Sequence, residues 1–126
     1  MKRLLLDTHI LLWWLVEDSR LNPGYLSEIA KPENDVFVSA ASIWEITIKQ
    51  KKGLLQVPAD LLEVVEEEGF EALSITFAHS ELAGNLTEFH KDPFDRMLIA
   101  QAQIEQMILV TDDSQIQQYE VSILKF

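Results

Sequence analysis

Asp7, Glu45, Asp92, Asp95 and Asp113 are the residues from which chemistry can be read in this chain. Asp7 ends the apolar run Arg3-Leu4-Leu5-Leu6, and Asp113 follows Ile108-Leu109-Val110-Thr111. Glu45 lies within the helical stretch Ser42-Ile43-Trp44-Glu45-Ile46, and Asp92 and Asp95 open a helix in His90-Lys91-Asp92-Pro93-Phe94-Asp95-Arg96. A parallel α/β sheet brings such positions together. Carboxylates gathered without cationic partners repel one another, so a fold that assembles them needs a cation there. All-oxygen donors select Mg²⁺ or Mn²⁺, and those ions point to phosphodiester chemistry.

The elements that must position these acids alternate between short leucine-rich or β-branched runs and helical patterns, as in βαβ units. Strands are expected over 3–7, 36–39, 72–75, 107–111 and 121–124. None alternates cleanly, which suits parallel strands buried on both faces. Asn22-Pro23 caps and opens a helix over 23–31. Ser39 caps 40–52, whose end carries Lys49, Lys51 and Lys52 before Gly53, as the helix dipole and a glycine C-cap favour. Further helices are expected over 59–68 (closed by Gly69), 77–86 and 94–106, with another after Asp7 through Ile10-Leu11-Leu12-Trp13.

Each acid also has a structural role open to it. Asp7 can cap the helix after it, yet it stands in the crevice beyond a strand C-terminus, where ligands bind in open sheets. On a helical wheel Ala40, Ile43, Trp44, Ile46 and Ile48 share one apolar arc. Glu45 falls on the opposite face with Ser42, Lys49 and Lys52, where an exposed Glu45–Lys49 pair would contribute a few tenths of a kcal/mol. Asp92 is a ready N-cap. Asp95 heads the apolar stripe Leu98, Ile99 and Ala102, while Arg96 points elsewhere, so burial leaves it without a partner and favours a ligand role. Either Asp112 or Asp113 can serve after the fourth strand. His9 and His90 lack the companions of a zinc site and read as turn residues. Trp13, Trp14 and Trp44 read as core or interface.

At 126 residues the chain is one domain with room for a substantial core. It has no cysteine, so disulfides and thiolate sites are excluded, which fits the cytoplasm. Lys2-Arg3 and the apolar residues after them look like the start of a signal peptide, but Asp7, Thr8 and His9 interrupt the run, no cleavage site follows, and the stretch is too short to span a bilayer. A buried first strand is expected instead, with no membrane association. The net charge of −11 runs against phosphate binding, which draws on lysine and arginine. Either part of that charge is neutralised in a metal site, or the protein does not touch nucleic acid.

In order and spacing, Leu5-Leu6-Asp7-Thr8-His9, Ser42-Ile43-Trp44-Glu45-Ile46, Asp92-Pro93-Phe94-Asp95-Arg96 and Val110-Thr111-Asp112-Asp113 resemble the PIN-domain ribonucleases nearly end to end. The likeness is greatest to the VapC-like toxins of toxin–antitoxin pairs. It implies a single PIN-like domain over 1–126, a three-layer α/β/α sandwich with a parallel sheet of order 3-2-1-4-5. It also implies a metal site of Asp7, Glu45, Asp95 and Asp113, with Asp92 as an accompanying acid and Asp112 as the variable position. Thr8, Lys49, Arg96 and Thr111 are then expected on the substrate side, Lys49 and Arg96 steering the phosphate. The implied activity is Mg²⁺- or Mn²⁺-dependent hydrolysis of RNA by a homodimer, inhibited by an antitoxin that places a basic residue against the acids. The non-enzymatic alternative is a degenerate PIN-like acidic interaction module. A dehalogenase-like phosphatase would need a second acid at His9, and a receiver domain an aspartate where Thr76 stands.

Overall fold

Three consecutive leucines explain the centre of the molecule, described over residues 1–126 by a computed structural model. Leu4, Leu5 and Leu6 have no exposed surface, and each contributes roughly 1.5–3 kcal/mol of burial. They form β1 (Arg3–Leu6), flanked by β2 (Asp35–Ser39) and β4 (Ile108–Val110), with β3 (Glu71–Leu73) and β5 (Ile123–Leu124) at the edges. All pairings are parallel and the order is β3-β2-β1-β4-β5, as the resemblance implied.

Alternation along β1 divides the core in two. Leu4 and Leu6 pack with residues of α1 (Thr8–Leu15), α2 (Pro23–Ala30) and α4 (Leu61–Glu67). Leu5 packs with Leu98, Ile99 and Ala102 of α6 (Pro93–Glu105), against which α5 (Phe77–Asn85) lies. The result is the expected three-layer sandwich. No helix is long and apolar enough to cross a membrane.

Caps set the helix ends as the sequence indicated. Asn22 accepts from the Gly24 N–H, Ser39 from Ala41 and Asp92 from Phe94 and Asp95. Gly53 and Gly69 take φ of +74° and +80° after their helices, a conformation costly for any residue with a Cβ. β1 and β4 end one residue earlier than expected, at Leu6 and Val110, and the next residues, Asp7 and Thr111, bond to each other through their side chains, while β2 begins one residue earlier, at Asp35. The 59–68 helix begins at Leu61.

The face of α3 (Ala40–Lys51) corrects the helical wheel. Ser42, Glu45 and Ile46 are buried, whereas Trp44 is 62% exposed with its ring edge against Phe94. This helix packs against both α1 and α6, and polar partners make burial of its acidic face tolerable. Thr8 Oγ1 donates to Ser42 Oγ at 2.9 Å, and Lys49 Nζ lies 2.7 Å from Glu45 Oε2.

Candidate metal centre

After β3 the chain crosses through α5 and α6 to the other side of β1, so the strand order reverses between β1 and β4. A crevice opens beyond the strand C-termini at such a point. Asp7 and the segment Thr111–Asp113 both enter it, tied together by the Asp7 N–H donating to the Val110 carbonyl at 3.0 Å.

Asp7 is 3% exposed and caps α1, accepting from the His9 N–H. Thr111 Oγ1 donates to Asp7 Oδ2 at 2.6 Å and accepts from the Asp113 N–H at 3.1 Å. One threonine thus fixes two acids. Burial raises the Asp7 pKa, opposed by the Thr111 hydrogen bond and by His9.

Asp95 projects from the first turn of α6. Its carboxyl is pushed up to about 7, first by burial and then by the charges of Asp7 and Asp92, while His90 acts the other way. His90 Nε2 lies 2.7 Å from Asp95 Oδ2 and 3.5 Å from Asp113 Oδ2. Asp113 therefore faces the cluster and Asp112 is exposed outside it, which settles which of the pair turns inward.

Glu45 supplies the observation that tests the cluster for a cation. Its Oε2 is paired with Lys49, but its Oε1 is buried with no hydrogen-bond partner. An acceptor left bare in the interior is destabilising. The Lys49 pKa is raised chiefly by its bond to Glu45 and further by Asp92 and Asp95, so the α3 pair abuts the α6 acids. Asp7, Glu45, Asp95 and Asp113 are hard oxygen donors, and Lys49 is the one lysine or arginine paired with any of them. They fit a divalent cation.

Other expected residues have different work. Asp92 spends Oδ1 on the backbone of Phe94 and Asp95. Thr8 and Thr111 are buried and bonded within the protein, which corrects the expectation that they face substrate. Arg96 is corrected too. Its Nη1 donates to the carbonyls of Thr87 and His90, and its Nη2 to those of Ala83, Gly84 and Leu86. It staples the end of α5 and the following loop to α6. Arg96→Ala is expected to lower stability by about 2 kcal/mol in denaturant unfolding, with Arg96→Lys restoring only part, because an ammonium cannot serve so many carbonyls at once. His90, read from the sequence as a turn residue, stands instead against Asp95 and Asp113. Its only local signal was its position two residues before Asp92.

The PIN domain family profile matches residues 4–122. No curated protein sequence matches the chain significantly. Among solved structures, VapBC2 from Rickettsia felis bound to a DNA fragment from their promoter aligns with a TM-score of 0.69 at 14% identity, covering 98% of both chains. A toxin–antitoxin complex from Klebsiella pneumoniae aligns at 0.67 and 20% identity, covering 96% of this chain and 95% of that one. VapBC-1 from nontypeable Haemophilus influenzae gives 0.69 and 16% identity, with 97% and 96% covered. These likenesses concern the fold. The profile match spans the switch point and every acid from Asp7 to Asp113, and on that ground the chain belongs to the PIN domain family.

Proposed function

We propose that this protein is a Mg²⁺- or Mn²⁺-dependent endoribonuclease that serves as the toxin of a toxin–antitoxin pair in the cytoplasm. The observation that carries this is the bare, buried Oε1 of Glu45, on a helix packed against α6, together with the mutual charge repulsion of Asp7 with Asp95 and Asp113. PIN domains are generally metal-dependent nucleases, and the similar structures include toxin–antitoxin complexes.

Asp7, Glu45, Asp95 and Asp113 would hold the ion, with Asp92 beside them. When bound, it supplies Lewis acidity that activates a water and neutralises charge at a phosphodiester. Thr111 holds Asp7 in place and orients the Asp113 backbone. Lys49, whose side chain is 39% exposed, is the cation best placed to meet phosphate. Asp113 stands nearer the surface than Asp7, so substrate approaches from its side.

The partner we expect is an antitoxin that sets an arginine or lysine against the acids. Such a contact would be charge-assisted and complementary to a chain of −11. A separate groove of about 580 Å³, lined by Trp13, Trp14 and Leu26 together with Glu17, Asp18 and Glu68, is suited to the apolar part of that partner. Exposed Leu62 and Phe77 offer apolar surface for a homodimer.

The test is cleavage of a broad RNA pool by metal-stripped protein, in EDTA and with added Mn²⁺. Cleavage should need Mn²⁺ and fall when the antitoxin is bound. Full activity in EDTA would overturn the proposal.

A further inference from the structure

We infer that His90 is a direct metal ligand, so that this centre is a mixed nitrogen–oxygen site rather than an all-carboxylate one. The inference rests on the metal site proposed above and names a donor from the loop that precedes α6.

His90 does not behave as a turn residue. Its side chain is only 13% exposed, and one ring nitrogen faces carboxylate oxygens from two separate elements, 2.7 Å from Asp95 Oδ2 and 3.5 Å from Asp113 Oδ2. The donor atoms of these three residues all lie within 4.8 Å of one another. Two ligands at right angles on an ion with bonds near 2.1 Å stand about 3 Å apart, and opposed ligands about 4 Å apart. The His90–Asp95 distance is that of a hydrogen bond, so an ion would enter by taking the place of that bond, and small shifts of the three side chains would then set them around it. A second, independent feature is the unpartnered, buried Oε1 of Glu45 on α3, a helix packed against α6, whose Lys49 partner feels the charges of Asp92 and Asp95.

The backbone of His90 is held on both sides. Its N–H donates to Tyr119 Oη at 2.9 Å, and its carbonyl accepts from Arg96 Nη1 at 3.1 Å. Tyr119 Oη in turn donates to the Thr87 carbonyl at 2.6 Å. A histidine that merely neutralised Asp95 would not need its loop anchored to two distant side chains. A ligand does, because donors must be presented in a fixed place. An imidazole donor also shifts ion preference from Mg²⁺ towards Mn²⁺, Co²⁺ and Ni²⁺.

Pulsed EPR of Mn²⁺ bound to the metal-stripped full chain, without RNA, tests this. The wild type should show ¹⁴N coupling from a bound imidazole. The chain has three histidines, and His79 is buried between Thr76 and Glu105, so the controls are few. His9→Gln should keep the coupling and His90→Gln should lose it. Mn²⁺ affinity should fall in His90→Gln by at least the roughly 10–100-fold that loss of a group behind a ligand produces, and Mg²⁺ affinity by less. If His90→Gln does not fold, the His9→Gln spectrum still assigns the nitrogen by elimination. Mn²⁺ bound without ¹⁴N coupling, or coupling retained in His90→Gln, would overturn the inference and leave the carboxylate site standing. Failure to bind Mn²⁺ at all would overturn both.

Discussion

Asp95→Asn is expected to reduce RNA cleavage by roughly 10²–10³-fold or more, on the scale seen when one charge-stabilising group is removed. In EDTA the same protein should be as stable as the wild type, or more stable. The two halves come from one cause. Metal-free Asp95 is held against Asp7 and Asp92 in a largely buried place, which raises its pKa to about 7. Asparagine keeps the volume and an acceptor for His90 while removing the repulsion.

Asp92 provides the contrast. Its carboxylate closes the N-terminus of α6, so Asp92→Ala should destabilise the protein by about 1 kcal/mol with or without metal. Millimolar Mn²⁺ at about a hundred times its Kd would stabilise the wild type by about 2.7 kcal/mol, or roughly 10 °C in Tm. Asp95→Asn should lose most of that rise. Thermal melts of the three proteins in EDTA and in Mn²⁺ decide the matter. An Asp95→Asn protein clearly weaker in EDTA, with its metal response intact, would make Asp95 a structural residue.

Much of this molecule could be read locally because its signals are local. Asn22-Pro23, Ser39 and Asp92-Pro93 begin helices through bonds to backbone groups two or three residues away. The leucine run of β1 states its burial directly. What local reading could not supply was the direction in which α3 turns. Its wheel has an apolar arc, but the helix lies between α1 and α6, and the polar face is accepted because Thr8 and Lys49 provide partners. Trp44 is displaced outward as a result. His90 and Arg96 were obscured for a related reason. The loop that carries His90 is shaped by Tyr119, 29 residues further on, and by the guanidinium of Arg96. Arg96 does point away from Asp95, as the wheel indicated, but towards the carbonyls at the end of α5 rather than towards substrate.

Metal-free protein should lose stability as pH rises from about 4 to about 7, and divalent metal should reverse that slope. Asp95 has its folded pKa raised from 3.8 to about 7, and Asp7 is raised as well. Between the unfolded and folded values the native state therefore holds protons that the unfolded chain has released, so unfolding becomes easier as pH increases. One such proton gives a slope of at most about 1.4 kcal/mol per pH unit, reduced by solvent screening at a site that is not fully enclosed. Acids lowered by partners act elsewhere on the scale. Glu28, held to about 2 chiefly by Lys2 and then Lys31, and Asp18, held to about 2 by Arg20, contribute stability that is lost only as pH falls below about 4. The two effects occupy different windows. With Mn²⁺ present the clustered carboxylates bind as anions, so protons compete with the ion and the metal-induced rise in Tm should grow from pH 5 to pH 7.5. Melting curves across that range, in EDTA and in Mn²⁺, should diverge with increasing pH. Asp95→Asn should flatten both curves, because one of the groups responsible for the slope is gone. Parallel wild-type curves would mean that the buried carboxylates do not meet a common ion, and the metal centre would then have no physical basis in this fold.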